Sequence, residues 1–273
     1  MTRHLLIVGA GVVGSSAKRI ADEHGWASTL ADGNPHRAAS RAALATIRPQ
    51  WLGEHGKTIA GRSWRWYDDW GATVTRQALV TSYRNLEPRP QSDWWLVDPD
   101  RILVQPDLEV DVEHVWCDNG RVHARINGEP RTYDACLMAT GAYGRDFIGG
   151  YKEQHGATLI NRNLTLDAPL YVHHLRPYHS LTVGDVGGAV RLGSSVASTP
   201  DKAVTEIRLM LDAAERLGLV PRSDDWQLSV GIRAKAPKPV VPLIGQNVAR
   251  IGNLGRSGYG LAPALIAQWL LTL

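Results

Sequence analysis

The sequence predicts an α/β fold in which a parallel-sheet unit is combined with an antiparallel part, and three observations lead there. A short apolar run, His4–Val8, stops on a glycine cluster and is followed by a helical stretch and a second short strand, the order of a β-turn-α-β unit. The middle of the chain reads as short strands separated by turns. The last segment returns to strand-like pieces, a glycine loop and a terminal helix.

At 273 residues the chain is long enough for one large α/β domain or for a nucleotide-type domain with an insert. With 44% apolar and 21% charged residues it is a globule, which excludes a disordered tail, a collagen-like fibre and a small disulfide-stapled scaffold. No stretch approaches the ~20 continuous apolar residues of a membrane span. The apolar start at Leu5 runs into glycines instead of continuing as a signal-peptide core, so the expected location is the cytoplasm. Cys117 and Cys136 have no CxxC partner and are too few for a disulfide framework. The 10 histidines are scattered, and His173 and His174 are adjacent instead of spaced i, i+4, so no metal is expected. The net charge of +3 by itself does not announce nucleic acid, but from Trp226 to Leu273 there is no Asp or Glu against Arg233, Lys235, Lys238, Arg250 and Arg256. That segment should attract an anion.

The elements follow in order. His4–Val8 reads as a buried parallel strand, Ser15–His24 as a helix with Gly25 as its stop, and Ala27–Ala31 as a second strand ending at the Asp32-Gly33-Asn34-Pro35 turn. A helix is expected near Lys57–Gly71, where Trp64, Trp66 and Trp70 at helical spacing are read as core packing. Val112–Trp116, Arg121–Ile126 and Arg131–Met138 form a meander. Strands between Leu170 and Ser195 turn at Gly184 and at Gly187-Gly188. Pro200–Gly218 is a helix with Val204, Ile207, Leu211, Ala214 and Leu217 on one face, and Ala262–Leu271 is the terminal helix.

Gly9-Ala10-Gly11-Val12-Val13-Gly14 stands directly after a strand and opens a helix. In that position the three glycines serve the tight turn, the close approach of backbone to a pyrophosphate, and the close packing of helix on strand. The helix N-terminus adds unpaired N–H groups and the positive end of its dipole. Asp32, at the end of the second strand, is placed to accept hydrogen bonds from a ribose. No arginine directly follows Asp32 to hold a 2′-phosphate, which disfavours NADP; the fingerprint leaves NAD and FAD open.

Three further stretches resemble flavoproteins. Ser40-Arg41-Ala42-Ala43-Leu44-Ala45-Thr46-Ile47-Arg48-Pro49 is a small-residue run of the kind that lets a flavin ring lie close to backbone. Ala139-Thr140-Gly141-Ala142 resembles the second flavoprotein ATG motif. Gly231-Ile232-Arg233, Pro242-Leu243-Ile244-Gly245 and Gly255-Arg256-Ser257-Gly258-Tyr259-Gly260-Leu261-Ala262-Pro263-Ala264 resemble the C-terminal signature of the D-amino-acid oxidase superfamily, which includes glycine oxidase and sarcosine oxidase. The motifs stand in the family's order along the whole chain.

The resemblance implies a Rossmann-type, glutathione-reductase-like FAD-binding domain from residues 1–50, 100–148 and 240–273, and a reduced antiparallel-sheet substrate domain from 51–99 and 149–239. It implies non-covalent FAD, since no family cysteine for a covalent link is present. Gly9, Gly11, Val12, Val13 and Gly14 would hold the pyrophosphate and Asp32 the adenosine ribose. Ser40, Arg41, Ala42, Ala43 and Ala45 would lie along the isoalloxazine, and Gly255, Arg256, Ser257, Gly258, Tyr259, Gly260 and Leu261 would face its pyrimidine edge. Val112, Thr140 and Gly141 complete the implied cofactor contacts. Arg233 matches the family arginine that clamps the substrate carboxylate with two parallel hydrogen bonds. Arg256 matches a second carboxylate-facing arginine, and His179 falls near a histidine beside that pocket.

The chain departs from the pattern in four places. Leu44 and Ala45 stand where members often carry glycines, the pocket tyrosine aligns with Leu181 with Tyr178 as the neighbouring candidate, and Lys238-Pro239 replaces Asp-Gly. The substrate domain is also shortened. The activity implied is FAD-dependent oxidation of the C–N bond of a glycine-type or N-substituted glycine amine. The open alternatives are a free small amino acid or secondary amine, the glycinyl group of a hypermodified thymidine in phage DNA (as in a compact phage lyase branch of the family), and an inert FAD-binding protein.

Overall fold

The computed structural model of the chain describes residues 2–143, 152–176, 179–193, 195–240 and 247–273; of Arg37, Arg176, His179, 235–240, Asn253 and Arg256 it describes the backbone alone. In chain order the elements are β1 (His4–Val8), α1 (Val12–Glu23), β2 (Ala27–Ala31), β3 (Thr46–Ile47), α2 (Gly53–Asp69), β4 (Thr73–Thr75), β5 (Ala78–Ser82), β6 (Asn85–Gln91), β7 (Trp95–Val97) and α3 (Pro99–Ile102). There follow β8 (Val112–Asp118), β9 (Arg121–Ile126), β10 (Glu129–Tyr133), β11 (Ala135–Met138), β12 (Lys152–Asn161), β13 (Leu170–Arg176), β14 (His179–Val186) and β15 (Ala189–Gly193). The chain closes with α4 (Pro200–Arg216), β16 (Gln227–Val240), β17 (Val248–Arg250), β18 (Gly252–Leu254) and α5 (Gly258–Leu270).

Two compact units result. The first comprises Met1–Ala38, Ile102–Glu153 and Arg233–Leu273 and the second Ala39–Arg101 and Gln154–Ile232. The division differs from the sequence expectation at its edges: 39–50 belong to the second unit and 233–239 to the first. Short strand β3 explains the first shift, because Thr46 and Ile47 pair with Leu96 and Trp95 inside the second unit.

In the first unit a four-stranded parallel sheet runs in the order β17-β11-β1-β2. Leu5, Leu6 and Ile7 of β1 are fully buried, which is why that strand is an unbroken apolar run instead of an alternating one. An antiparallel sheet, β10-β9-β8, packs against it through Val122, Ala124 and Tyr133. The stretch 131–138, expected as a single strand, is two. Asp134 divides them: its carboxylate accepts from the His4 amide (2.7 Å) and pairs with Arg121 (2.6 Å), so β10 ends the meander and β11 crosses into the parallel sheet.

In the second unit the order runs from β16 through β12, β15, β14, β13 and β5 to β6, and of the registered pairs only β13–β5 is parallel. Helix α4 lies on it, burying Ala203, Ile207, Met210 and Ala214. The buried stripe is rotated by one residue from the expected one, so that Val204 and Leu211 are only half-buried and Leu217 is exposed. Gly187 and Gly188 make the expected turn, with φ of +60° and +73°. Gly184, expected as a turn, instead sits within β14: a Cβ there would lie 3.1 Å from Leu96 Cδ2, so the glycine makes room for packing. Trp64 of α2 is buried edge-to-face on Trp95, with ring centroids 5.2 Å apart, as core.

Candidate functional site

The fingerprint turn of the first unit is built from positions where no side chain fits. Gly9 adopts φ +106°, and a Cβ there would stand 2.5 Å from the carbonyl oxygen of Ala139. A Cβ on Gly14 would run into the carbonyl of Gly9. Helix α1 starts at Val12 with Gly11 as its N-cap residue, so its first amides and the positive dipole end emerge from this turn. Asp32 fastens the turn to the end of β2: Oδ2 accepts from the Ala10 amide (2.7 Å) and Oδ1 from the Asn34 amide (2.9 Å). Each oxygen keeps a lone pair for a further donor.

Thr140 and Gly141 follow β11 directly beside the turn; the Thr140 amide would lie 3.2 Å from a Cβ on Gly9. Thr140 Oγ1 is buried without a hydrogen-bond partner, an arrangement that asks for a ligand acceptor or donor. The C-terminal glycine loop reaches the same place. A Cβ on Gly258 would meet Val12 Cγ1 at 3.2 Å, and one on Gly255, where φ is +53°, would lie 3.9 Å from the Ala234 carbonyl oxygen. Lys235 of β16 pairs with Leu254 of β18. Buried Arg233, at 9% exposure, therefore lies two residues from a strand pairing that abuts the loop. Tyr259, Gly260 and Leu261 are buried in the first turn of α5. Val112 takes its place at the start of β8, packed half-buried against the core around Leu6 and Val8. The cradle, the carboxylate and the orphaned hydroxyl fit a dinucleotide, with the pyrophosphate at the α1 terminus and a ribose at Asp32.

The small-residue run lies in the second unit and is held through its carbonyls. Thr158 Oγ1 donates to the Ala42 carbonyl (2.6 Å), and the buried Arg191 reaches the carbonyls of Arg41 and Ala43 (3.5 Å each) while pairing with Asp100 (3.0 Å). Gly231 lets β16 come close: a Cβ there would lie 2.8 Å from Ala39 Cα and 3.1 Å from Ala42 Cβ. Ala45 takes φ +61°, the left-handed conformation that explains the glycines of the resembling family at that position. Leu44 points into the core near Gly184, which accounts for its size.

Sequence reasoning did not connect a cluster that starts at the end of this run. Arg48 lies with its guanidinium 3.9 Å from the ring centroids of both Trp51 and Trp94. Burial lowers its pKa to about 10 against the opposing pull of Asp93, so it stays cationic at neutral pH. Gln50 donates to Asp93, and the buried Arg48 Nε, Asp93 Oδ1 and Trp94 Nε1 have no hydrogen-bond partner. His174, 6.2 Å from Trp94, is held below the ordinary histidine range by burial first and then by Arg48. The cluster can hold an anionic or polar group between aromatic walls. Its sequence signal was the pairing of Arg48-Pro49-Gln50-Trp51 with Asp93-Trp94, which no periodicity connects.

The remaining expected residues divide by what is described. Arg256 lies in the loop before α5 and His179 opens β14, and both are described by backbone alone. Tyr178 and Pro242-Leu243-Ile244-Gly245 lie outside the described residues. Leu181 is buried in the core under α4. Arg250, one of the cations of the acid-free segment, is 2% exposed and so contributes little to surface potential. Among the described residues no helix is long and apolar enough to cross a membrane, and no cluster of His, Cys, Asp and Glu is arranged to hold a metal.

No protein-family model and no curated protein sequence matches the chain. Solved structures do. An L-α-glycerophosphate oxidase from Mycoplasma pneumoniae, with FAD bound, aligns at TM-score 0.74 and 13% identity over 100% of this chain and 95% of that one. Iminodiacetate oxidase from a Chelativorans species aligns at TM-score 0.72 and 16% identity over 98% and 95%. Glycine oxidase from Bacillus cereus aligns at TM-score 0.68 and 14% identity over 98% and 96%. All three are named as oxidases, and the first holds FAD. At such identities the likeness shows the fold: this chain has the mixed α/β fold of FAD-binding oxidoreductases, a Rossmann-like parallel sheet with additional antiparallel sheets.

Proposed function

We propose that this chain is an FAD-dependent oxidoreductase acting on an amine that bears a carboxylate, of the glycine or N-substituted glycine type. The observation that carries the reading is the convergence, inside one compact unit, of the fingerprint turn, Asp32, the orphaned Thr140 hydroxyl, the Gly255–Gly258 loop and buried Arg233. Two of the similar structures are named for oxidation of such amines, glycine and iminodiacetate. In the overall reaction the substrate C–N bond is oxidised to an imine, and water releases glyoxylate and an amine from a glycine-type substrate.

FAD, held non-covalently, would supply the two-electron acceptor. Gly9, Gly11, Gly14 and the amides of Val12 and Val13 would bind the pyrophosphate, and Asp32 the ribose. The backbone of Ser40 to Ala45 would lie along the ring, with the Gly255–Leu261 loop at its pyrimidine edge, where the α5 dipole favours negative charge. Arg233 would hold the substrate carboxylate in a two-bond fork and so orient the α-carbon, and Arg256 would add a second cation. Positioning of this kind supplies much of a rate without a dedicated base. His179 would line the same pocket.

A second reading concerns the N-substituent: the glycinyl group of a hypermodified thymidine in phage DNA, giving aminomethyl-deoxyuridine. The acid-free segment 226–273 favours it. One experiment separates the readings. The purified protein is expected to show flavin absorbance that bleaches on anaerobic addition of substrate, with glyoxylate released; the arms are glycine, sarcosine, iminodiacetate, glycerol phosphate and glycinyl-modified DNA. A colourless protein that never takes up FAD sinks the proposal, as does one that only glycerol phosphate bleaches, and a coloured one that no arm bleaches is the inert flavoprotein.

A further inference from the structure

The second unit carries a cavity on the side of β13 away from Arg48. Side-chain alternation along this strand sends Leu170 and Val172 into the core with Trp94, and His174 toward the same tryptophan. Tyr171 and His173 face the other way, into a cavity of about 510 Å³ framed by β13, β5, the loop before β13 and the turn after α4. This is a site apart from the flavin run and from the Arg48 cluster.

Both loops that frame it are fixed in place. Buried Asn161 donates to Ser223 (3.0 Å), Asn163 donates to Asp225 (3.1 Å), the Leu166 amide donates to the Asp185 carboxylate (3.2 Å) and the Asp185 amide donates to the Pro169 carbonyl (3.0 Å), so the segment carrying Asp167 is tied at both ends. Helix α4 ends in a Schellman turn: the Leu219 amide donates to the Ala214 carbonyl (2.9 Å) and that of Gly218 to Glu215 (3.0 Å), with Gly218 at φ +68°. A preformed wall costs a ligand little ordering entropy.

The chemistry of the walls is amphoteric. Asp167 and Arg216 both line the cavity, and among the described residues neither makes a salt bridge; Arg216 Nε donates only to the Asp212 carbonyl (3.2 Å). Leu166, Leu219 and Val220 supply apolar surface. At the floor His173, 4% exposed, is bonded through Nδ1 to Thr81 Oγ1 (2.7 Å), and burial keeps its imidazole neutral at pH 7, so it adds polarity without charge.

We infer that this cavity binds a small zwitterion with an apolar body, a free aliphatic α-amino acid, with its carboxylate at Arg216, its ammonium at Asp167 and its side chain on Leu166, Leu219 and Val220. The inference stands independently of the flavin reading. Equilibrium dialysis of the FAD-loaded protein against L-leucine, isocaproate and isoamylamine, under anaerobic conditions, tests it. Leucine is expected to saturate at one molecule per chain, and the two singly charged analogues to bind at least roughly tenfold more weakly. Asp167→Asn and Arg216→Gln, both at exposed positions, should each weaken leucine by a similar factor without shifting Tm, whereas Arg233→Ala should leave leucine affinity unchanged. Absence of saturable leucine binding, equal binding of either analogue, or leucine binding that Asp167→Asn and Arg216→Gln leave intact would overturn the assignment, as would its loss in Arg233→Ala alone.

Discussion

Ala45 shows how much one dihedral angle can say. An L-residue in the left-handed region costs about 1–2 kcal/mol against a glycine there, offset in part by the greater freedom of glycine in the unfolded chain. Ala45→Gly is therefore expected to stabilise the protein by about 1 kcal/mol, read as a Tm increase of roughly 2–4 °C in a calorimetric scan. Arg233 is the residue on which substrate binding should turn. Removing a buried cation from a carboxylate costs about 2–4 kcal/mol, so Arg233→Ala should raise KM roughly 30- to 1,000-fold while FAD remains bound. Arg233→Lys should recover little of this, because a lysine ammonium lacks the planar fork. Loss of FAD with an unchanged KM would remove Arg233 from the substrate site.

Among the elements, β13 makes the pH dependence concrete. His173 and His174 both have pKa values lowered from the ordinary 6.5, in each case chiefly by burial. The unfolded chain then binds protons that the folded chain refuses, so stability is full above the ordinary value, falls as pH drops below it toward the lowered folded-state values, and levels off beneath those. Denaturant unfolding followed between about pH 5 and 8 should show that decline, with a slope of up to about 1.4 kcal/mol per histidine per pH unit. His174→Gln should flatten it; a slope unchanged by the substitution would locate the titration elsewhere. At the junction of β10 and β11, Asp134 plays an architectural part, since its two bonds let one continuous stretch serve two different sheets.

For the whole molecule, cofactor and fold should be thermodynamically linked. FAD that binds only the folded chain adds about 2.7 kcal/mol at a hundredfold excess over Kd, visible as a rise in Tm on titration. Asp32 couples the glycine turn to β2 and is the proposed ribose ligand, so Asp32→Ala should both lower the Tm of the FAD-free chain and abolish the FAD-induced rise. A preserved rise in that variant would place the ribose elsewhere.

The first half of this architecture could be read from local pattern alone. β1 and β2 come out with the expected bounds because a buried parallel strand is an apolar run cut off by glycine, and Gly9–Gly14 announces its turn because no side chain fits there. The small-residue run and the C-terminal glycine loop stand out for a similar reason, as short motifs whose backbone demands are local: Ala45 and Gly255 both take positive φ. What the tertiary structure alone decided was pairing across distance. It turned Gly184 from a turn into a packing gap, split 131–138 between two sheets at Asp134, brought Trp94 to Arg48, and placed Asp167 and Arg216 around one cavity. Such meetings depend on sheet order and on which side chain is already in the way, and a linear pattern carries neither.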